Sequence, residues 1–430
     1  MVIMTSRAVL ALLLGPLTVS VQSPVRDTLV VFVGANVLSM RSPEVTPNQT
    51  VVVRGGVIAA VGPANRMKVP PGALRIDARG KYLMPGLADF HTHVVERGDL
   101  TLYLASGVTT IANMGSPERA LTFWRDSIRA GQMSGPEIYV GAYVNGPAGV
   151  GGMSNAATVE DARRLVSEAA RDRYDFIKVY NSLTAEQFAA VMDEAKARRL
   201  PVLGHAVRSV GIERGLAMGQ VAIVHAEEYG YAELRGHRDS ASIERAVAFT
   251  REHDATLVPN LSAFEVITLQ WGKPAVVDSF FALPEIAQLS EYWRSRWRGA
   301  DYITRRGTLD ALPFLKRLTA AMQRGGVRLL LGTDSPSIPG MFAGPSIHNE
   351  LRLLVESGLT PYEALVAGTR AAGEFATRQF GAERAGLVVP GYRADLILLA
   401  ANPLQDIRNS RATLGVMSRG QWRQSVATLP

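Results

Sequence analysis

A chain of 430 residues with 47% hydrophobic and only 20% charged residues can bury a core larger than that of one ordinary domain, which excludes an intrinsically disordered protein. The absence of cysteine excludes disulfides, thiolate catalysis, thiolate metal sites and a lipid-modified N-terminal cysteine. A net charge of +7 permits acidic partners without demanding them.

The first residues, MVIMTSRAVLALLLGPLTVSVQS, place Arg7 before an apolar run from Ala8 to about Val21 that is short for a bilayer span and ends in small residues. This predicts a secretory signal peptide over 1–23 and a periplasmic or secreted protein; an uncleaved N-terminal anchor is the competing reading. No later stretch is apolar enough to span, so no stable membrane insertion is expected after cleavage. Residues 27 to about 80 read as short alternating strands, as in TVVVRGGVIAAVG, where Gly55 and Gly56 can close a hairpin. The same strand, Gly-containing turn and strand return in ADLILLA (394–400) and LGVMSRGQWRQ (414–424). Both chain ends are therefore expected to share one small β-domain.

Between them, apolar strand-like runs alternate with amphipathic helices. The strand candidates are MPGLADFH, GVTTIANM, EIYVGAYV, DFIKVY, LPVLGHA, QVAIVHA, ATLVPNL and VRLLLGTD. Several following helices carry start signals: Thr158 with Asp161, Thr184 with Gln187, and Thr360-Pro361 with Glu363. Eight such units in sequence predict a (β/α)8 TIM barrel, an α/β fold whose usual size of roughly 250 residues fits the span. A doubly wound open sheet is the alternative.

The polar residues of these runs gather at one end. His91 and His93 end the first, Lys178 lies in the fourth, and His205, His225 and Asp334 end the fifth, sixth and eighth. In a barrel those ends converge on one mouth. His91 and His93 are two apart, so a strand points both to one face. Four imidazoles and a carboxylate without thiolate suit Zn²⁺ or a similar divalent ion. A single strand histidine is more often a satisfied core residue, but here four of the seven histidines stand at strand ends. Lys178, between Ile177 and Val179 in a chain that otherwise prefers arginine, reads on its own as a packed stem with a snorkelling head. The segment SEYWRSRWRGADYITRR (290–306) interleaves arginines and aromatics as a nucleic-acid surface would. Its spacing fits an ordinary helix better, with Leu289, Trp293 and Trp297 on one face and Arg294 and Arg298 on another, so no nucleic-acid partner is expected.

Taken together, MPGLADFHTH, the lysine strand, LGHA, IVHAEE, LGTDS, HNELRLLVESGLTPYEALVAGT and GYRADLILLAANP resemble the metal-dependent amidohydrolase superfamily, in particular its imidazolonepropionase-like and Xaa-Pro dipeptidase-like members. The resemblance implies a barrel over 85–384 and a small β-sandwich built from 24–84 and 385–430. It implies that His91, His93 and Asp334 hold one metal ion and His205 with His225 a second, most readily Zn²⁺. Lys178 would then bridge both through a carbamate formed with CO₂, and the bridging reading displaces the snorkelling one. Burial is consistent with that role, because it disfavours the ammonium and leaves a nucleophilic amine.

The implied chemistry is hydrolysis of a carbon–nitrogen bond by metal-activated hydroxide, with Asp334 also moving the proton from nucleophile to leaving amine. The expected substrate is a small-molecule amide, a dipeptide or an N-acyl amino acid. Relatives that cleave such compounds commonly use a histidine in the loop after strand three; here that loop reads VNGPAGVGGM and has none. Candidate substrate contacts are Tyr229 and Tyr231, just beyond His225, and Arg294 and Arg298. The aromatic segment with Trp271, Phe280, Phe281, Trp293 and Trp297 is a candidate apolar lid. His237, His253 and His348 read as surface or helix-end residues, with His348 the nearest to the pocket. A lactonase or cyclic-amide hydrolase with the same metals is the enzymatic alternative, and a silent binding protein on the same fold is the alternative of another class. A homo-oligomer is compatible with all of these.

Overall fold

The computed structural model describes residues 28–116, 119–147, 154–234 and 236–424. The expected signal segment, and residues 148–153 of the loop after the third barrel strand, lie outside the described residues.

The first strands are β1 (Leu29–Leu38), β2 (Val45–Arg54), β3 (Val57–Pro63), β4 (Leu74–Asp77) and β5 (Tyr82–Pro85). The barrel strands are β6 (Leu87–Thr92), β7 (Val108–Asn113), β8 (Glu137–Val144), β9 (Phe176–Val179), β10 (Val202–Gly204), β11 (Ala222–Val224), β12 (Thr256–Val258) and β13 (Arg328–Leu329), and the chain closes with β14 (Leu396–Leu399), β15 (Thr413–Ser418) and β16 (Gln421–Gln424). The two ends do share a sheet. Its path runs β16-β15-β14-β5-β1-β2-β3, with β4 paired to β1, so that all eight strands belong to one hydrogen-bonded sheet. β5 pairs antiparallel with β14, Met84 opposite Ile397, and this contact joins the N-terminal strands to the C-terminal ones. Gly55 and Gly56 turn the β2–β3 hairpin with φ of 56° and 82°, the two positive values that a tight two-residue hairpin turn requires.

All eight expected barrel strands are present and in chain order, from β6 to β13, each parallel to its neighbour. Their near-continuous burial, complete in β6, β7 and β9, is what a parallel sheet covered on both faces demands. The segment after β13 returns to β6. Phe90 N–H donates to Leu331 O at 2.8 Å, Asp334 N–H to His91 O at 2.7 Å and His93 N–H to Ser335 O at 2.9 Å. These bonds join last strand to first, in keeping with a TIM-like barrel. One buried cluster draws on β6 to β12 and on Leu330 just beyond β13, with Phe90, Tyr139, Phe176 and Leu203 among its members and Phe375 from the helix Arg370–Phe380. Phe90 meets Phe375 edge-on at 5.6 Å between ring centroids.

The helix start signals operate as the sequence predicts. Thr158, Thr184 and Thr360 each accept the N–H of the residue three on, while Asp161, Gln187 and Glu363 reach back to the cap backbone. Each such cap is worth about 1 kcal/mol. Between β12 and β13 the chain makes a long excursion through the helices Pro274–Phe281 and Glu291–Arg298. Leu289, Trp293 and Trp297 share the expected face and are buried together. The Trp297 indole donates to Pro336 O at 2.8 Å, tying this excursion to the backbone just after Asp334. No helix of the described residues is long and apolar enough to cross a membrane.

One carboxylate pins the closure of the barrel. Asp89 is fully buried. Its Oδ1 accepts the N–H groups of His91 at 3.1 Å and Thr333 at 3.0 Å, and its Oδ2 accepts the Thr333 hydroxyl at 2.6 Å. Burial pushes the Asp89 carboxyl up to about 7 against those hydrogen bonds. Asp89→Ala leaves two backbone N–H groups without a partner, and is expected to destabilise the metal-free fold by about 1–3 kcal/mol in urea unfolding. Asp89→Asn, which keeps one acceptor oxygen, should lose less.

Candidate metal centre

His91 and Lys178 lie within their strands, while two of the other residues singled out sit on special backbone just past theirs. His225, just after β11, and Asp334, beyond β13, adopt φ of 75° and 70°, and Asn260, beyond β12, adopts 56°. Non-glycine residues rarely take the left-handed conformation, and where they do the surroundings must impose it. Gly204 ends β10 with φ of 135°, and a Cβ there would lie 2.8 Å from Lys178 Cδ and 2.4 Å from Val179 O. Glycine before His205 is thus what lets the lysine stem pass.

His91, His93, Lys178, His205, His225 and Asp334 all line one cavity of about 930 Å³. Ligand atoms of His91, His225 and Asp334 lie within 4.8 Å of one another. Asp334 divides the imidazoles: Oδ1 stands 3.0 Å from His93 Nε2 and 3.5 Å from His91 Nε2, while Oδ2 stands 3.9 Å from His225 Nε2. The His225 ring in turn lies 4.6 Å from His91 and 4.7 Å from His205 between centroids. His91 and His93 thus face Oδ1 and His225 faces Oδ2, while the His91 ring lies as near to His225 as the His205 ring does.

Three of the four rings have their far nitrogen tied. His91 Nδ1–H donates to Asn260 Oδ1 at 3.2 Å, His93 Nδ1–H to Gly115 O at 2.7 Å and His205 Nδ1–H to Glu228 Oε1 at 2.6 Å. An imidazole that donates from Nδ1 keeps its Nε2 lone pair for a metal. Burial holds His91, His205 and His225 well below their ordinary value, so these rings are neutral, the form that ligates. Burial opposes the charge on Asp334, yet the surrounding His91, His93 and His225 outweigh it and hold that carboxyl well below its usual range. Lys178 is 1% exposed, and burial brings its ammonium down from 10.5 to about 8 despite the nearby Asp334, Glu228 and Glu227. His225 Nδ1, Glu227 Oε2 and Glu228 Oε2 are buried without a hydrogen-bond partner. Neutral imidazoles, an ionised carboxylate and unpartnered polar atoms in one pocket fit a divalent ion.

The proposed substrate contacts separate. Tyr231 lines the cavity. Tyr229 does not: it is fully buried, its hydroxyl 2.8 Å from Thr250 Oγ1 and its ring stacked on Phe249. Arg294 donates to Ile286 O at 2.9 Å, and Arg298 lies over the Phe281 ring at 4.6 Å; neither side chain is among the cavity-lining groups. Arg208, Arg296 and Arg305 line it instead, with Trp271, Tyr292, Trp293 and Tyr302. His348 is buried away from the cavity, its Nδ1 2.8 Å from Ser410 Oγ, and burial brings it down to about 3. Asn260, Glu227 and Glu228 had no assigned role from sequence. The two glutamates stood in the quoted IVHAEE, where consecutive carboxylates after a strand-end histidine were the available signal.

Residues 82–423 match the amidohydrolase family. Enamidase from Eubacterium barkeri is 25% identical over 377 residues, covering 84% of this chain and 83% of that protein. Ochratoxinase from Aspergillus niger is 25% identical over 448 aligned positions, covering 89% of this chain and 83% of that protein. Among solved structures, a prolidase-like protein from Bifidobacterium longum superposes with a TM-score of 0.70 at 24% identity, covering 92% of this chain and 94% of that one, which supports the fold.

Replacing Lys178 separates site from scaffold. Lys178→Met removes the amine and keeps the volume, so metal content per chain by elemental analysis should fall sharply while circular dichroism is unchanged. In metal-free protein the same change should stabilise the fold. The lysine's folded value of about 8 lies below its ordinary 10.5, so burying the ammonium costs at most roughly 3 kcal/mol. That cost is fully present below pH 8 and fades as pH rises toward 10.5. The stability gap between Lys178→Met and the unaltered protein should close over that window in denaturant titrations.

Proposed function

The chain belongs to the amidohydrolase family, and on that premise we propose that it is an exported, binuclear metal-dependent hydrolase that cleaves the amide bond of a dipeptide or N-acyl amino acid. The observation that carries this reading is the gathering of three imidazoles, His91, His93 and His225, within 3.9 Å of the Asp334 carboxylate, with His205 and buried Lys178 lining the same cavity. In this reading residues 85–384 form the catalytic barrel, 24–84 and 385–430 its accompanying sandwich, and 1–23 the export signal.

His91, His93 and Asp334 would hold one ion and His205 with His225 the other, with Zn²⁺ the most suitable for such nitrogen and oxygen donors. Lys178, carried as its carbamate, would contact both. When bound, the ions supply Lewis-acid polarisation of the scissile carbonyl and a lowered pKa for water. The remaining work falls to the protein. The Asp334 carboxylate, through Oδ2, takes the proton released by the attacking water and delivers it to the leaving amine, whose departure as an anion would otherwise dominate the barrier. Ser337 Oγ donates to Asp334 Oδ1 at 2.7 Å and fixes the orientation of that carboxylate.

The cavity wall supports a carboxylate-bearing substrate with an apolar group. Arg305 is paired with Asp301, and Arg296 lies over the Tyr292 ring at 5.6 Å. Neither Arg208, three residues after His205, nor Arg296 has a hydrogen bond or ion pair to its guanidinium among the described residues; Arg208, nearest in the chain to the histidines, is our choice to receive an anion. Phe264, Ile267, Trp271, Trp293 and Leu309 give the apolar side of the same cavity. Tyr231 remains a candidate for orienting the scissile carbonyl.

With metal content matched, Asp334→Asn is expected to lower kcat by roughly 10²–10⁴-fold, the share of a positioned acid–base group. An N-acyl amino acid with a bulky apolar acyl group should be cleaved much faster than the same compound with its carboxylate amidated. Arg208→Ala should lower kcat/KM for the acid by roughly 10–100-fold and leave the amide unaffected. Equal rates for acid and amide would remove the carboxylate anchor. Faster turnover of a lactone of similar size would move the assignment to ester chemistry.

A further inference from the structure

Asn260 stands where an N-cap stands, immediately before the helix Leu261–Gln270, yet its side chain makes no cap hydrogen bond. An asparagine in that position ordinarily turns its oxygen onto the first free N–H groups of the helix, which have no intrahelical partner. Here a different residue takes them. Glu350, fully buried on the helix Ser346–Glu356, accepts Leu261 N–H on Oε1 at 2.9 Å and Ser262 N–H on Oε2 at 2.6 Å. The Asn260 oxygen is thereby released, and it points the other way, accepting His91 Nδ1–H at 3.2 Å. Asn260 is itself fully buried and held at φ of 56° and ψ of 42°, the left-handed conformation in which asparagine is among the better tolerated residues.

We infer that Glu350 is a remote positioning residue for the metal centre: it caps the helix after β12 in place of Asn260, so that Asn260 is free to fix the tautomer and orientation of the His91 ring. This rests on the reading of His91 as a metal ligand. Glu350 does not line the cavity and would touch neither metal nor substrate. Its effect would travel through two backbone N–H groups and one amide oxygen. A merely structural glutamate would change the stability of the helix and leave the affinity of the centre alone.

Co²⁺ binding to metal-stripped protein tests this, read as the dissociation constant and the visible ligand-field spectrum. Asn260→Gly keeps the left-handed backbone but removes the acceptor, and is expected to weaken Co²⁺ binding by roughly 10–100-fold, the usual cost of losing an orienting partner. Asn260→Asp keeps both backbone and acceptor and should restore the affinity. Glu350→Gln, which can accept only one of the two N–H groups, should weaken binding in the same direction and alter the Co²⁺ spectrum. The loss in the double variant Asn260→Gly/Glu350→Gln should be clearly smaller than the sum of the two single losses, because both act through one contact. Unchanged affinity in Glu350→Gln, or losses that add, would overturn the inference. If Glu350→Gln does not fold, Glu350→Asp, too short to keep both N–H contacts, takes its place and unchanged Co²⁺ affinity there overturns the inference; equal affinity in Asn260→Gly and Asn260→Asp overturns it as well. Unaltered protein that takes up no Co²⁺ would overturn the metal reading itself, and the inference with it.

Discussion

The return of the last barrel strand to the first is the constraint on which the centre depends. Asp334 and His91 are separated by most of the barrel in sequence, and the bond from Asp334 N–H to His91 O makes them neighbours. Without it the carboxylate has no reason to stand between His93 and His225. The same junction carries Asp89, which grips the backbone of His91 and Thr333 together. His91, His93 and the Asp334 carboxylate beside them are therefore aligned by backbone bonds, a preorganisation of the kind a metal centre requires.

Such a site is costly to the fold. Three non-glycine residues at strand ends hold left-handed conformations, Lys178 is buried against its preference for water, and several carboxylate and imidazole atoms lack partners. Strain and unsatisfied polar groups of this kind are sustained when the surrounding packing fixes them, and they gather where function requires them. The apolar cluster that runs through β6 to β12 and Leu330 supplies that rigidity a short distance away. Preorganisation on one side and tight packing on the other are two parts of the same arrangement.

Much of this was legible in the sequence. Eight apolar runs with polar residues at their ends gave the strand order and the residues that meet at the mouth, because strand ends in a barrel face one way. The three Thr-led capping boxes were readable because they involve residues three apart and need no tertiary information. Spacing put Arg294 and Arg298 on one helix face and their segment made them candidate substrate contacts, but spacing does not say where that face points. Burial of Trp293 and Trp297 sets the rotation, and it brings Ser295 and Arg296 to the cavity instead. Tyr229 and Tyr231 differ for a similar reason, since a turn after β11 buries one and exposes the other. Asn260 had no local signature at all: its partners, His91 and Glu350, come from the two ends of the barrel.

The pairing of β5 with β14 has a consequence for the birth of the chain. The edge of β5 is complete only when residues beyond Asp395 are available, some 300 residues after β5 itself. At ordinary synthesis rates that is roughly 15–60 s during which the N-terminal strands present an unpaired edge. Long-range pairing of this kind slows folding and leaves sticky strand edges open. Until β14 is delivered, on the ribosome or after export, that edge of β5 stays open to other strands, so association through it is the misfolding route this topology leaves available.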